Sequence, residues 1–311
     1  GYNYQRQQKD SLAQKQYKKA IESIKLNPSI GGMTGRFFKE NNLLDNPIAA
    51  YNLTIELSEN ANFEFQLARI YGEKGDFDKM FTSYINLIDN NENYIGTVQR
   101  YASSYITDDA NNTYNLSFKK ALLRKSIRNP KVVWNELLSW LFTKQGDYGK
   151  AFIQEKAIYQ RKQEDLSNFF ILGDVAFNNK AYNSAKDIFT YTLKKSFTVE
   201  EKLEAQLFLL KIDVALKEEN VQESFEKTLN LYGYSNQTIY IQKAYADYLT
   251  FRLNQPEKAK IVLEKALQLA NSKFEKARIK LKLGDVLVFT NQFNKALIYF
   301  SQIQTKLKNH P

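Results

Sequence analysis

The chain has 311 residues, of which 43% are hydrophobic and 14% aromatic, and it carries a formal net charge of +10. This apolar content is enough for a packed core and argues against a disordered chain. Cysteine is absent, which excludes disulfides and thiolate chemistry. The sequence contains no run of 18 apolar residues, the length needed to span a membrane. The single histidine, His310, cannot build a catalytic relay or metal cluster, and no phosphate-binding glycine loop is present. These features predict a non-enzymatic protein without cofactor or metal.

Positive charge is concentrated towards the C-terminus. Residues 251–311 hold twelve Lys or Arg against four Asp or Glu, and so contribute +8 of the net charge. A solvated, lysine-rich helical surface accounts for this bias, and the alternative is a patch for an acidic partner or a membrane surface. Nine of the 44 basic residues are arginine, the side chain that makes most bidentate base contacts, so a nucleic-acid partner is not favoured.

Helical periodicity runs along most of the chain, and prolines mark helix ends. Asn27-Pro28 and Asn129-Pro130 close helical segments, whereas Asn46-Pro47 is typical of an N-cap followed by proline in the first turn. Loops are predicted at Gly31-Gly32 and over residues 108–112. No segment alternates with period two for long enough to predict a strand.

A helix-pair phrase returns along the chain. It reads Leu67-Ala68-x-x-Tyr71-x-x-x-Gly75-Asp76-Phe77-x-x-Met80, and it returns from Leu138, Leu172 and Leu283. A small residue in the second helix indexes the successive pairs: Ala20, Ala50, Met80, Ala121, Ala151, Ala185, Ser224, Ala259 and Ala296. Their intervals of 30–41 residues predict about eight stacked antiparallel helix pairs, each too small to bury its apolar face alone.

This pattern resembles the tetratricopeptide repeat (TPR), a helix pair with a small residue and Tyr in its first helix and an alanine–aromatic series in its second. The resemblance implies an all-α solenoid that acts as a non-catalytic scaffold or adaptor for protein partners. One array is expected over residues 1–311. It is divergent over 1–60, partly irregular over 61–130 and regular over 131–311, and it is expected to continue past the C-terminus.

The resemblance also implies a concave groove lined by the first helix of each pair. Aligned on the small residue, the first helices offer a row of carboxylates, a row of apolar side chains and two further aromatic residues: Asp174, Asp213, Asp247 and Asp285; Phe177, Leu216, Phe251 and Phe289; Trp140 and Phe170. Such a groove would bind an extended or helical peptide with alternating basic and apolar residues. The alternative is that the aspartates pair with Lys211, Lys243 and Lys282 while the aromatic residues belong to the core.

Two other functions fit a basic helical array. The first is a nucleic-acid-binding repeat protein, and the second is a regulatory solenoid that holds a small ligand in a deep pocket between adjacent pairs. A composition rich in Lys, Asn, Ile and Tyr and a start at Gly1 lean towards an exported bacterial protein in a periplasmic or outer-membrane assembly. A cytoplasmic location also fits.

Overall fold

The computed structural model describes residues 1–163 and 165–306. Every regular element within those ranges is helical, in eighteen α-helices and four short 3-10 helices. None of the helices described there is long and apolar enough to cross a bilayer. The predicted all-α fold of tetratricopeptide-like helix pairs is therefore confirmed. The chain divides into two compact units, residues 1–163 (unit 1) and 164–311 (unit 2).

Unit 1 contains ten α-helices: α1 (Tyr2–Arg6), α2 (Asp10–Glu22), α3 (Gly31–Glu40), α4 (Asp45–Leu57), α5 (Glu64–Glu73), α6 (Phe77–Asn90), α7 (Ile95–Ala102), α8 (Thr113–Arg128), α9 (Val132–Lys144) and α10 (Tyr148–Lys162). Consecutive helices pack as pairs, most extensively α3 with α4, α5 with α6, and α9 with α10. The region predicted to be irregular departs from this rule, because α7 has only eight residues and α8 packs mainly against α6.

Unit 2 contains eight described α-helices: α11 (Ser167–Asn178), α12 (Tyr182–Lys195), α13 (Val199–Leu216), α14 (Val221–Tyr232), α15 (Ile239–Phe251), α16 (Pro256–Leu269), α17 (Lys273–Phe289) and α18 (Phe293–Lys306). The pairs α11–α12, α15–α16 and α17–α18 pack closely, whereas α13 packs more against α12 than against α14. Ile212, fully buried, occupies the position that Gly173 and Gly284 hold in their helices.

The Gly-Asp-aromatic part of the phrase makes the turn inside a pair. Gly75 and Gly146 adopt φ of 75° and 72°, a left-handed conformation that costs glycine little. The aspartate that follows each glycine caps the second helix: Asp76 accepts from the Lys79 amide at 3.2 Å, and Asp147 does the same for the next such pair. Where the sequence lacks this glycine, as at Lys180, the chain still adopts φ of 61°.

Replacing Lys180 with glycine is expected to stabilise unit 2 by about 1 kcal/mol, because a side chain in the left-handed region costs roughly that much. Urea denaturation followed by circular dichroism measures the change. Gly146→Ala is the matched control, for which we expect a change in stability of the opposite sign. It should destabilise by a similar amount, because nothing lies within 4 Å of an added β-carbon there and only the backbone conformation is penalised. A loss of stability in Lys180→Gly would contradict this account.

Close approach within a pair depends on a small residue facing an aromatic ring sixteen residues later. A β-carbon added at Gly173 would lie 2.6 Å from the Phe189 ring. The corresponding distance is 2.3 Å both from Gly284 to Phe300 and from Gly35 to Tyr51. Bulk at any of these three glycines would force the paired helices apart.

The sixteen-residue spacing shows that the index residues predicted for the first two helix pairs are misplaced. Ala13 and Pro47 are the buried second-helix residues one turn before Tyr17 and Tyr51, whereas Ala20, the predicted index residue, is half buried. Indexed on Ala13 and Pro47, the first two intervals become 34 and 33 residues. These intervals are close to the 34 residues that separate Ala151 from Ala185.

The loop predicted at Gly31-Gly32 is wrong. Both residues lie in the first turn of α3, where Gly31 is buried. A β-carbon at Gly31 would lie 1.8 Å from the Thr54 hydroxyl of α4, so glycine is needed there for helix contact and not for a turn.

Candidate functional site

Two carboxylates of the predicted row are held by lysines of the chain. Asp247 on α15 lies 2.8 Å from Nζ of Lys282 on α17. Asp213 on α13 lies 2.9 Å from Nζ of Lys186 on α12, and Lys186 also pairs with Glu218. Hydrogen bonds to these two carboxylates raise the pKa of Lys186. Asp247 thus pairs with Lys282, one of the three lysines predicted from the sequence. Asp213 pairs instead with Lys186, which belongs to the preceding helix pair.

The other two carboxylates remain accessible. Asp174 on α11 is exposed, and Asp285 on α17 is half buried. Burial raises the pKa of Asp285, and Asp247 adds to that shift while Lys282 opposes it. Within the described part of unit 2, neither Asp174 nor Asp285 forms an ion pair like that of Asp247. They are therefore the members of the row that can meet a basic group of a ligand.

The predicted apolar row divides into core and surface residues. Phe177 is half buried between rings of two other helices, 5.6 Å from Tyr182 and 5.7 Å from Phe208. Leu216, at the end of α13, is also half buried. Phe251 and Phe289 are 51% and 42% exposed and contact each other edge to face at 5.5 Å. Large apolar side chains this exposed are candidates for ligand contact.

Trp140 and Phe170 lie nearer to the core than predicted. Trp140 in unit 1 is half buried, with its ring edge to face at 5.9 Å from Phe118 of α8. Phe170 is half buried against Phe189, the second-helix aromatic of its own pair, at 6.2 Å. Trp134 is buried and donates its indole N–H to the Asn129 carbonyl at 2.7 Å. Trp140 and Phe170 thus combine packing with partial exposure.

Lysines on the first helices of unit 2 stand close to these carboxylates. Burial lowers the pKa of Lys211 on α13; Asp174 and Asp247 oppose that shift, and Lys282 adds to it. Burial also lowers the pKa of Lys243 on α15, and two neighbouring cations add to the effect. The first-helix face of unit 2, defined here as the surface offered by α11, α13, α15 and α17, therefore carries both signs of charge.

A cavity of about 290 Å³ opens on this face. Its walls come from three successive first helices and one second helix: Phe177, Lys211, Val214, Phe225, Ala244, Asp247, Tyr248, Phe251 and Arg252. Sequence reasoning named Phe177, Asp247 and Phe251 but missed Tyr248 and Arg252. The signal was present, since Tyr248 and Arg252 are four residues apart and so share a helical face with Phe251 between them.

No group of acidic or histidine side chains suited to a metal ion occurs among the described residues. His310 lies outside them.

No family model matches the chain, and no curated protein matches it by sequence. Solved structures similar to it include a tetratricopeptide repeat protein from Parabacteroides merdae, 12% identical over 94% of both chains, with a TM-score of 0.40. BtubC from P. vanneervenii is 17% identical, covers 70% of this chain and 94% of its own, and has a TM-score of 0.42. Yeast Tom70 is 14% identical, covers 92% of this chain and 70% of its own, and has a TM-score of 0.38. The tetratricopeptide-like architecture described above rests on the helix pairs of this chain itself.

Proposed function

We propose that the chain is a non-catalytic protein-interaction scaffold that binds a peptide segment of its partner on the first-helix face of unit 2. The observation that carries the proposal is the 290 Å³ cavity, whose aromatic wall continues into the exposed ring pair of Phe251 and Phe289. Aromatic side chains beside a partly desolvated pocket are the residues that supply most binding energy in protein interfaces.

Charges around the cavity refine the peptide predicted from the sequence. Because Asp213 and Asp247 are engaged with lysines of the chain, register would be set by Asp174 and Asp285. A partner segment would place apolar side chains against Phe251 and basic side chains opposite these two carboxylates.

Peptide selection tests the proposal directly. A random peptide library is panned on the full chain, and the selected peptides are measured by fluorescence polarisation. Phe251→Ala is expected to weaken binding about tenfold, because an exposed aromatic anchor contributes on the order of 1–2 kcal/mol. Phe293→Ala is the control, since Phe293 is 55% exposed but lies on the second helix α18.

Unchanged affinity in Phe251→Ala, or an equal loss in Phe293→Ala, contradicts this site. The double variant Asp174→Asn, Asp285→Asn tests the register. It should weaken binding of peptides that carry basic residues, whereas Asp187→Asn on the exposed side of α12 should leave binding unchanged.

The remaining sequence predictions have their own tests. Attraction of the basic C-terminal third to an acidic surface, or to nucleic acid, would appear as heparin or RNA binding that is lost between about 50 and 200 mM salt. A location in a periplasmic or outer-membrane assembly stays a prediction. Fractionation of cells that make the protein tests it by showing which compartment contains the chain.

A further inference from the structure

A second and larger cavity, of about 540 Å³, lies in unit 2 between α13 and the start of α15. Its apolar wall is built from two leucines, an isoleucine and two aromatic rings: Leu203, Leu207, Ile241, Phe208 and Tyr240. The volume falls within the range of about 300–1,000 Å³ typical of small-molecule sites.

One end of this cavity holds a cation, the ammonium group of Lys211. Lys211 lines the wall and places Nζ 5.3 Å from the centroid of the Phe208 ring. The carboxylates of Asp174 and Asp247 act on it electrostatically, but Asp247 is already paired with Lys282. Lys211 forms no ion pair with the described residues, so an anionic group seated beside Phe208 would be its direct partner.

The other end of the cavity carries two glutamates, whose carboxylates already have a hydrogen-bond donor or contact with water. Glu200 accepts a hydrogen bond from the Gln237 side chain at 3.1 Å, and Glu204 is exposed to water. These carboxylates disfavour a second anion at that end and so orient a bound acid. Seven residues separate Glu204 from Lys211, which corresponds to about 10 Å along the helix.

We propose that this cavity binds a small amphipathic carboxylate, in which an apolar chain about 10 Å long lies along Leu203 and Leu207 and its carboxylate pairs with Nζ of Lys211. The site shares Lys211 with the peptide cavity at Phe251 but has no other lining residue in common with it, and it extends the proposed function to a second class of ligand. The carboxylate is the determining group. An uncharged chain of the same length gains only apolar burial, and an amine would meet Lys211 with like charge.

Calorimetric titration of the full chain with decanoate, decanol and decylamine tests the proposal. Decanoate should bind at least tenfold more tightly than decanol, and decylamine should bind most weakly. Lys211→Met keeps the length of the side chain but removes its charge, so decanoate affinity should fall to the level of decanol. Lys276→Met, at an exposed lysine of α17 outside the cavity, should leave both affinities unchanged.

Leu207→Phe fills the cavity and should weaken decanoate and decanol alike, and thermal denaturation shows whether this variant folds. Several results overturn the proposal: no decanoate binding at millimolar concentration, equal affinity for decanoate and decanol, preference for decylamine, or full retention of decanoate binding in Lys211→Met. Leu207 lines only this cavity and Phe251 only the peptide cavity, so peptide binding in Leu207→Phe and decanoate binding in Phe251→Ala distinguish failure of one proposal from failure of the other.

Discussion

Gly173→Ala is expected to destabilise unit 2 by about 2 kcal/mol, the usual scale of overpacking, although alanine is the better helix former by about 1 kcal/mol. The added methyl group would lie 2.6 Å from the Phe189 ring. That ring has little freedom to move, because its other contacts include Phe208 of the next pair, stacked at 4.3 Å with an interplanar angle of 6°. Urea denaturation at constant pH measures the loss.

Gly96→Ala separates packing from helix propensity. Gly96 also lies within a helix, α7, but nothing lies within 4 Å of an added β-carbon. This variant should therefore be stabilised by about 0.5–1 kcal/mol. Gly173→Ala should cost less stability in a Phe189→Leu background than in the wild-type chain, because the ring that the methyl group meets is gone. Equal stabilisation of both alanine variants would show that the close helix contact is not limiting.

Asn115→Ala is expected to destabilise unit 1 by about 3 kcal/mol, because buried backbone groups cost about 1–3 kcal/mol each when they lose their partners. The Asn115 side chain is fully buried. It accepts from the Thr107 amide at 3.1 Å and donates to the carbonyls of Thr107 and Asp109 at 2.8 and 2.7 Å. It thereby holds the connection between α7 and α8. Urea denaturation measures the effect, and hydrogen exchange of residues 103–112 reports on the connection itself.

Two further variants define the role of Asn115. Asn115→Asp keeps the shape but removes both donated hydrogen bonds and buries a carboxylate, so it should lose at least as much stability as alanine. Asn111→Ala, at an exposed position of the same connection, should change stability by less than about 0.5 kcal/mol. Similar losses in Asn111→Ala and Asn115→Ala would rule out a specific role for the buried amide.

Local patterns in the sequence predicted the secondary structure and the pairing of helices well. The turns at Gly75-Asp76 and Gly146-Asp147 belong to the repeated phrase, and their glycine at positive φ and their aspartate cap are local requirements. The sixteen-residue spacing was also readable, and applying it to Gly35 and Tyr51 would have given the correct phase of the early repeats. The loop at Gly31-Gly32 was misread because glycine serves both turns and close helix contact.

The predicted site was less accurate, because its geometry depends on how each helix is rotated against its neighbours. Alignment on the small residue gave Asp213 and Asp247 the same role, yet one pairs with α12 before it and the other with α17 after it. Aspartate exposure therefore could not be read from register alone.

The sequence by itself determined that this is an all-helical repeat protein, since helical periodicity, capping residues and small-to-aromatic spacings are set within a few turns of chain. Only the tertiary structure decided which charges are paired and where cavities open. Lys211 lies in the wall of two cavities, and each of them is lined by residues of both α13 and α15. Such surfaces depend on the distance and rotation between helices that are not consecutive, and these quantities arise when the repeats pack together.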